Sequence, residues 1–197
     1  MYYKGCALWW MFLLGCFFYS LLEILARGYT HWTMMLTGGT VSVILYQFHL
    51  KAPPHTLLLQ CLCGALIITA IEFSVGVLDN LYLGWNVWDY SNMPFNFGGR
   101  TNLLYCVFWG LLAVVWMKGL YPRISRLVEK IPMKAGRILT WLIMAFFVLD
   151  GLVSAAAMLR YVARLSDPAV QSALDAFLDN MYPDTLVERI WPNMKIS

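Results

Sequence analysis

Residues 56–78 read TLLLQCLCGALIITAIEFSVGVL, an apolar run in which Glu72 is the single charge. A helix rising about 1.5 Å per residue needs roughly 20 mostly apolar residues to cross a hydrocarbon core of about 30 Å. This run meets that requirement and reads as a transmembrane helix. On its N-terminal side, Lys51-Ala52-Pro53-Pro54 breaks the chain, since proline lacks the donor a continuing helix uses. Residues 32–50 and 6–26 supply two earlier crossings. On the C-terminal side, a turn-rich loop over residues 80–99 precedes a fourth and shortest crossing, 102–117. A basic stretch, 118–137, then leads to a fifth, 138–158. Residues 6–26 carry Glu23 and precede no small-residue cleavage site, so they read as a span and not a cleavable signal peptide. The predicted fold is all-α: a polytopic membrane helix bundle with about five transmembrane helices.

Composition agrees. The chain is 60% hydrophobic and 13% charged, whereas a soluble domain carries roughly a quarter charged residues. Its mean hydropathy is +0.63. Membrane lipids are the expected surroundings. A net charge of +3 with the bases gathered in one stretch argues against a nucleic-acid partner. Cys6, Cys16, Cys61, Cys63 and Cys106 all fall in apolar runs without zinc-site spacing and read as packing residues. His31, His49 and His55 belong to different loops, and no metal site is expected from them. The chain holds no phosphate-loop motif, and no serine- or zinc-protease motif. It is therefore not expected to be an enzyme or to carry a cofactor, and any ATPase would be a separate subunit.

Residues 165–197 differ in kind from residues 1–164, the transmembrane helical domain. Asp167-Pro168 reads as a helix start, an N-cap with proline in the first turn. Val170, Leu174, Phe177, Leu178 and Met181 then recur at helical spacing among Asp175, Asp179 and Asn180, an amphipathic pattern. Tyr182-Pro183-Asp184 turns the chain into a second short segment ending near Trp191-Pro192. This is expected to be an extracytoplasmic amphipathic helical tail, resting on the membrane or capping the bundle.

Orientation follows from the bases. Lys118, Arg123, Arg126, Lys130, Lys134 and Arg137 lie in one short connection, which the positive-inside rule keeps cytoplasmic. Alternation then puts Lys51 and the N-terminus with Lys4 inside, at a cell membrane, and residues 80–99 outside. On that assignment Glu23, Glu72 and Asp150 fall in the outer halves of three spans, with Arg27 and Arg100 at the same end. An intramembrane charge costs on the order of 3 kcal/mol by insertion scales, so each needs a reason. Tyr19, Glu23 and Arg27 share a helix face, as do Glu72, Gly76 and Asp79. Asp150 shares its face with Ser154 and Ala157, small residues that let a neighbouring helix approach. The loop adds Asp89 and Asn96. Two readings stand: a polar cavity opening outward, or a buried ion-pair network that only sets helix order. Glu72 with Arg100 is the expected pair. The loop itself mixes Trp85, Trp88 and Tyr90 with the turn formers Asp89, Ser91, Asn92, Pro94 and Asn96. It is expected to fold against the bundle and not as a strand. Gly38-Gly39 marks close helix packing or a broken helix along a solute path.

Trp88-Asp89-Tyr90-Ser91-Asn92-Met93-Pro94-Phe95-Asn96, followed by Gly99-Arg100, resembles the hallmark loop of a bacterial membrane family known as putative ABC-transporter permeases (ABC transporter type IV, CmpB-like). Tyr19 to Glu23, Arg27 to Met34, Gly38-Gly39, Ile68 to Phe73 and Gly76 are similar to one branch of it, so the resemblance covers about residues 17–118. The common pattern has Gly-Trp after the Tyr-Ser pair and an acid further on, where this chain has Glu23 early and then Arg27. The resemblance implies a permease-like transport component recognising a solute from the outer side, with an ATPase supplied by a partner chain. The competing expectation is a non-transporting structural or regulatory membrane protein, or a small lipid-modifying enzyme. Five crossings are few for a complete pore, so a homodimer or a larger complex is expected. The topology has a direct test in a cysteine-free background. A cysteine at Ser91 should react with an impermeant thiol reagent on intact cells and one at Ser125 should not; the reverse pattern overturns the orientation.

Overall fold

The computed structural model describes residues 2–82, 84, 87–167, 169 and 172–191, and only the backbone of residues 2–7, 27 and 80–82. Trp85, Pro168, Val170 and Pro192 therefore lie outside the described residues, as do the side chains of Lys4, Cys6 and Arg27. The chain folds as α1 (Tyr2–Arg27), α2 (Trp32–Lys51), α3 (Leu57–Tyr82), β1 (Asn96–Phe97), β2 (Thr101–Asn102), α4 (Leu103–Val114), a π-helical stretch (Val115–Leu120), α5 (Tyr121–Val128), α6 (Met133–Ser166), α7 (Ala173–Met181) and α8 (Asp184–Ile190). Among the described residues, four stretches are long and apolar enough to cross a membrane: Leu8–Ala26, Leu57–Asp79, Leu103–Val128 and Met133–Ser166. The remaining long helix, α2, is diluted by polar residues. Of these Thr33, Thr37 and Ser42 are buried within the bundle, so polarity on α2 is turned towards protein and not towards lipid.

Two glycine-mediated crossings set the helix order. A β-carbon on Gly15 would fall 2.5 Å from Gly38 O, and one on Gly38 would fall 2.3 Å from Tyr19 Cβ. The α1 and α2 backbones therefore run close together over Gly15, Gly38 and Gly39. Cys16 packs onto Gly39 in the same seam. In the second crossing Gly110 of α4 lies against the backbone of Cys61 in α3, and Gly64 faces Ala113. Small residues do this in membranes because lipid is as apolar as a side chain, leaving close van der Waals contact to drive association. Around these seams pack Met11, Leu45, Ile68, Trp109, Ala113 and Trp116.

Several boundaries differ from those expected. The basic stretch after the fourth crossing is largely helical: α4 runs through the π-helical stretch into α5, leaving a short connection before α6. The apolar pattern ends near Met117, but α5 continues amphipathically with no buried residue. The fifth crossing is likewise longer than its apolar core, running Met133–Ser166. Asp167 does not start the tail helix. It caps the end of α6, and α7 begins at Ala173 with Ser172 Oγ accepting from Asp175 N at 3.1 Å. The loop over residues 80–99 is shortened by the extension of α3 to Tyr82, and its end forms a two-residue antiparallel ladder, Asn96 with Asn102 and Phe97 with Thr101.

The tail folds back onto the bundle. Arg160 and Arg164, on the last turns of α6, both reach Asp179 of α7; Arg160 grips its carboxylate in a fork, Nε to Oδ1 at 2.9 Å and Nη2 to Oδ2 at 2.8 Å. Fork geometry makes this kind of bond strong and orientation-specific. These two guanidinium donors hold the Asp179 carboxyl down at about 2. Arg164 also donates to Tyr182 O and Asp184 Oδ1. Beyond α8, Trp191 is buried, packs edge-on to His31 and donates from Nε1 to Thr30 O at 3.2 Å. It joins Met34, Trp88, Met158, Tyr161 and Val187 in a core at the motif-loop end of the bundle. The α1–α2 seam leaves no room for a larger side chain at Gly38. Gly38→Leu should overfill it and cost about 1–3 kcal/mol or more, read as a lower unfolding midpoint and loss of monodispersity in detergent. Thr40→Leu, on the exposed side of the same helix, should leave both unchanged.

Candidate functional site

The site begins at Glu72, midway along the apolar α3. The residue is only 3% exposed, and a carboxylate in that environment requires donors. Trp109 of α4 donates from Nε1 to Glu72 Oε2 at 2.9 Å, and the Tyr90 hydroxyl donates to Oε1 at 3.3 Å. One side chain thereby ties together α3, α4 and the motif loop.

The loop is shaped to deliver Tyr90. Asp89 Oδ1 accepts from Ser91 N at 2.8 Å and from the Ser91 hydroxyl, an Asx turn. Asn96 donates from Nδ2 to Met93 O at 2.8 Å and to Ser91 O at 3.2 Å, while its Oδ1 accepts from Gly99 N at 3.1 Å. The hairpin Gly98-Gly99 adopts φ +60° and +69°, the left-handed region that favours glycine. The backbone closes on itself as Tyr90 N donates to Gly99 O at 2.7 Å. Trp88 is then pinned by its Nε1 donating to Arg100 O at 2.8 Å. Its ring faces Gly76 on α3, where a β-carbon would come within 3.1 Å of it.

On the other side stands α1. Glu23 is buried at 7% exposed and accepts from the Thr30 hydroxyl at 2.6 Å. One turn earlier, the ring of Tyr19 lies 5.9 Å from that of Trp109. Between α1, α4 and the loop is a cleft of about 250 Å³ whose walls include Tyr19, Glu23, Met34, Trp88, Tyr90, Tyr105 and Trp109. Tyr90 and Tyr105 stack at 4.7 Å, and Tyr105 continues to Trp109 at 6.3 Å. Behind Tyr19, Met34 and Trp109 a smaller void of about 40 Å³ ends at Glu72. The two glutamates thus lie on either side of one aromatic wall.

The seven sequence-derived candidates separate accordingly. Glu23 and Glu72 are brought to the cleft region. The guanidinium of Arg100 turns to Gly98 O at 3.2 Å, so the contact Arg100 makes towards the cleft is its carbonyl's hold on Trp88. The expected Glu72–Arg100 pair is replaced by the indole and phenol donors of Trp109 and Tyr90. Asp89 and Asn96 are engaged in the loop's turns. Asp150 is exposed near the middle of α6, apart from the cleft walls. The side chain of Arg27 is outside the described residues. Sequence reasoning passed over Trp109 and Tyr105, which look like ordinary span residues, and treated Tyr90 only as part of a motif. The signal that could have found Trp109 is a demand for donors: an indole N–H, like a phenol O–H, is a neutral donor on an apolar body that suits a buried carboxylate. Asp79, one stripe position beyond Gly76, is also buried and accepts from the Thr33 hydroxyl at 3.4 Å, linking α2 to α3.

Comparison with known proteins gives one family model, described as Putative ABC-transporter type IV, matching residues 10–155. No curated protein and no solved structure matches the chain. The matched range holds the cleft and most of α6 and stops short of the tail.

Removing the Trp109 donor while leaving the carboxylate should cost about 1–3 kcal/mol. Trp109→Phe is therefore expected to lower the unfolding midpoint, and adding Glu72→Leu to it should lose less than the sum of the two single changes. Strict additivity would mean that the two groups do not depend on each other.

Proposed function

The chain belongs to the Putative ABC-transporter type IV family, and on that footing we propose that it is the solute-recognising membrane component of a transport system. Family and membrane-spanning helices together make it a multi-pass, transport-related membrane protein. The observation that carries the finer reading is the cleft: a concave, mostly apolar space with a buried carboxylate in its wall, built by the most distinctive motif in the chain. Small-molecule sites have this make-up, an apolar enclosure with a few placed polar groups. With the basic segment inside, the cleft lies towards the outer face, and the solute reaches it from that side.

Energy comes from a separate ATPase subunit, a reading that the family match supports. The working unit contains more than one membrane chain, a homodimer or a complex. Asp150 supports this: a carboxylate exposed near the middle of a spanning helix costs about 3 kcal/mol facing lipid and is relieved by a neighbouring subunit. The bracing of Glu72 and the turn bonds of Asp89 and Asn96 favour a second reading, in which the polar groups serve architecture alone and the protein is a non-transporting partner.

Filling the cleft separates the two. Cells expressing the chain should alter the level of at least one medium solute relative to cells lacking it, by untargeted metabolite profiling. Ala26→Trp, on the cleft wall, should reduce that change at least about tenfold, the effect of losing roughly 1.4 kcal/mol of binding, while the variant inserts and stays monodisperse. An unaltered solute profile for the Trp variant would assign the cleft to architecture.

A further inference from the structure

We propose that the cleft is a receptor for a small alkylammonium cation, an inference that rests on reading it as the recognition site. Its lining includes two indoles and three phenols, those of Trp88, Trp109, Tyr19, Tyr90 and Tyr105, together with the Glu23 carboxyl. No lysine or arginine is among the described residues that line it. Aromatic faces carry negative quadrupole charge and attract cations, most strongly where water is excluded, and rings gathered around a quaternary ammonium are the recurring form of this recognition. Tyr90, Tyr105 and Trp109 follow one another at centroid spacings of 4.7 and 6.3 Å. The stack covers one face each of Tyr90 and Tyr105, so a methylated ammonium group would meet their remaining faces and the Trp109 ring.

Glu72 strengthens the case from behind the wall. It accepts from the Trp109 indole at 2.9 Å and from the Tyr90 hydroxyl at 3.3 Å. A ring whose polar hydrogen is drawn to an anion is polarised towards greater negative charge on its face, and low local dielectric enlarges the effect. Glu72 thus acts through two cleft residues without lining the cleft, as a positioning and polarising group. The other ligand classes fit less well. An anion finds no lysine or arginine among the described lining residues. A bare metal ion needs several oxygen, nitrogen or sulfur ligands, and the described lining side chains supply one carboxyl, phenols and the Met34 thioether. A neutral apolar solute would gain burial and nothing from the charge distribution. At about 250 Å³ the cleft is below the usual range for drug-sized ligands and suits a headgroup-sized one.

The same ammonium chemistry exists in a soluble metabolite and in a lipid headgroup, so the test carries both. The full-length protein, in nanodiscs of phosphatidylglycerol, is titrated with choline, with tetramethylammonium and with the uncharged tert-butyl analogue of choline. Intrinsic tryptophan fluorescence and the unfolding midpoint are read for each. Choline and tetramethylammonium should bind saturably, and the uncharged analogue about tenfold more weakly or worse. Glu23→Gln and Glu72→Gln should each shrink that preference for charge, with monodispersity in detergent and a cooperative unfolding transition showing that the variants are folded. Competition by lysophosphatidylcholine assigns the site to a lipid headgroup and its absence to a soluble cation; both uphold the cation. Equal binding of choline and its analogue overturns the cation and leaves the cleft as a recognition site. Absence of binding by all three, with Ala26→Trp still blocking solute change in cells, also overturns the cation alone. Loss of that cellular effect removes the recognition reading with it.

Discussion

A carboxylate buried in an apolar helix is the constraint from which the rest of this structure follows. Glu72 is almost wholly buried, and its oxygens are met by protein donors. Meeting them fixes the rotation of α4, because Trp109 has to face α3. It also fixes the reach of the motif loop, because the Tyr90 hydroxyl has to arrive at the same carboxylate. The loop's own economy of turns, with Asp89 and Asn96 bonded locally and two glycines at positive φ, is what lets Tyr90 and Trp88 be delivered together. The cleft is the space left once these requirements are satisfied. Architecture and candidate recognition surface are therefore two results of one set of bonds.

The tail and α6 stand in a different relation to the bundle. The family match ends at residue 155, just before the part of α6 that bears Arg160 and Arg164. Those two arginines and Asp179 build a compact ionic hinge that returns α7 and α8 to the motif-loop end, where Trp191 seals against His31 and Thr30. Burial leaves the His31 side chain neutral, with its pKa pushed down to about 4, and its Nδ1 closes onto Thr33 to cap α2. The chain that follows the family core thus packs over the α1–α2 turn, next to Glu23 and its partner Thr30. By contrast the middle of α6 has little of its own chain against it, and Asp150 lies there exposed.

What could be read in advance and what could not divide along a physical line. Membrane spanning is a property of composition over about 20 residues, and it is nearly indifferent to what the neighbours are. Thus the all-α bundle, four of the five expected crossings (all but residues 32–50) and the break at Lys51-Ala52-Pro53-Pro54 were legible from sequence. So was the family, carried by the stretch from Trp88 to Arg100, in which Asp89, Asn96, Gly98 and Gly99 each serve a turn. Helix ends were less legible. α5 and the last turns of α6 are stabilised by continuation and by the arginine hinge, not by apolar pattern, so hydropathy stopped before the helices did.

The charged residues show the limit most clearly. Depth along a span can be counted from sequence, and it singled out Glu23, Glu72 and Asp150, of which the first two are buried and bonded and the third is exposed. The partner cannot be counted, because it depends on which faces two separate helices present to each other. An arginine at matching depth looked like the natural partner for Glu72, yet neutral donors from Trp109 and Tyr90 take that place and Arg100 turns to Gly98. The close glycine crossings at Gly15–Gly38 and Cys61–Gly110 decide those faces. Sequence by itself determined that the chain crosses the membrane and carries acids that must be satisfied there. Tertiary structure alone decided which groups satisfy them, since hydrogen bonding is directional and short-ranged while hydrophobicity is neither.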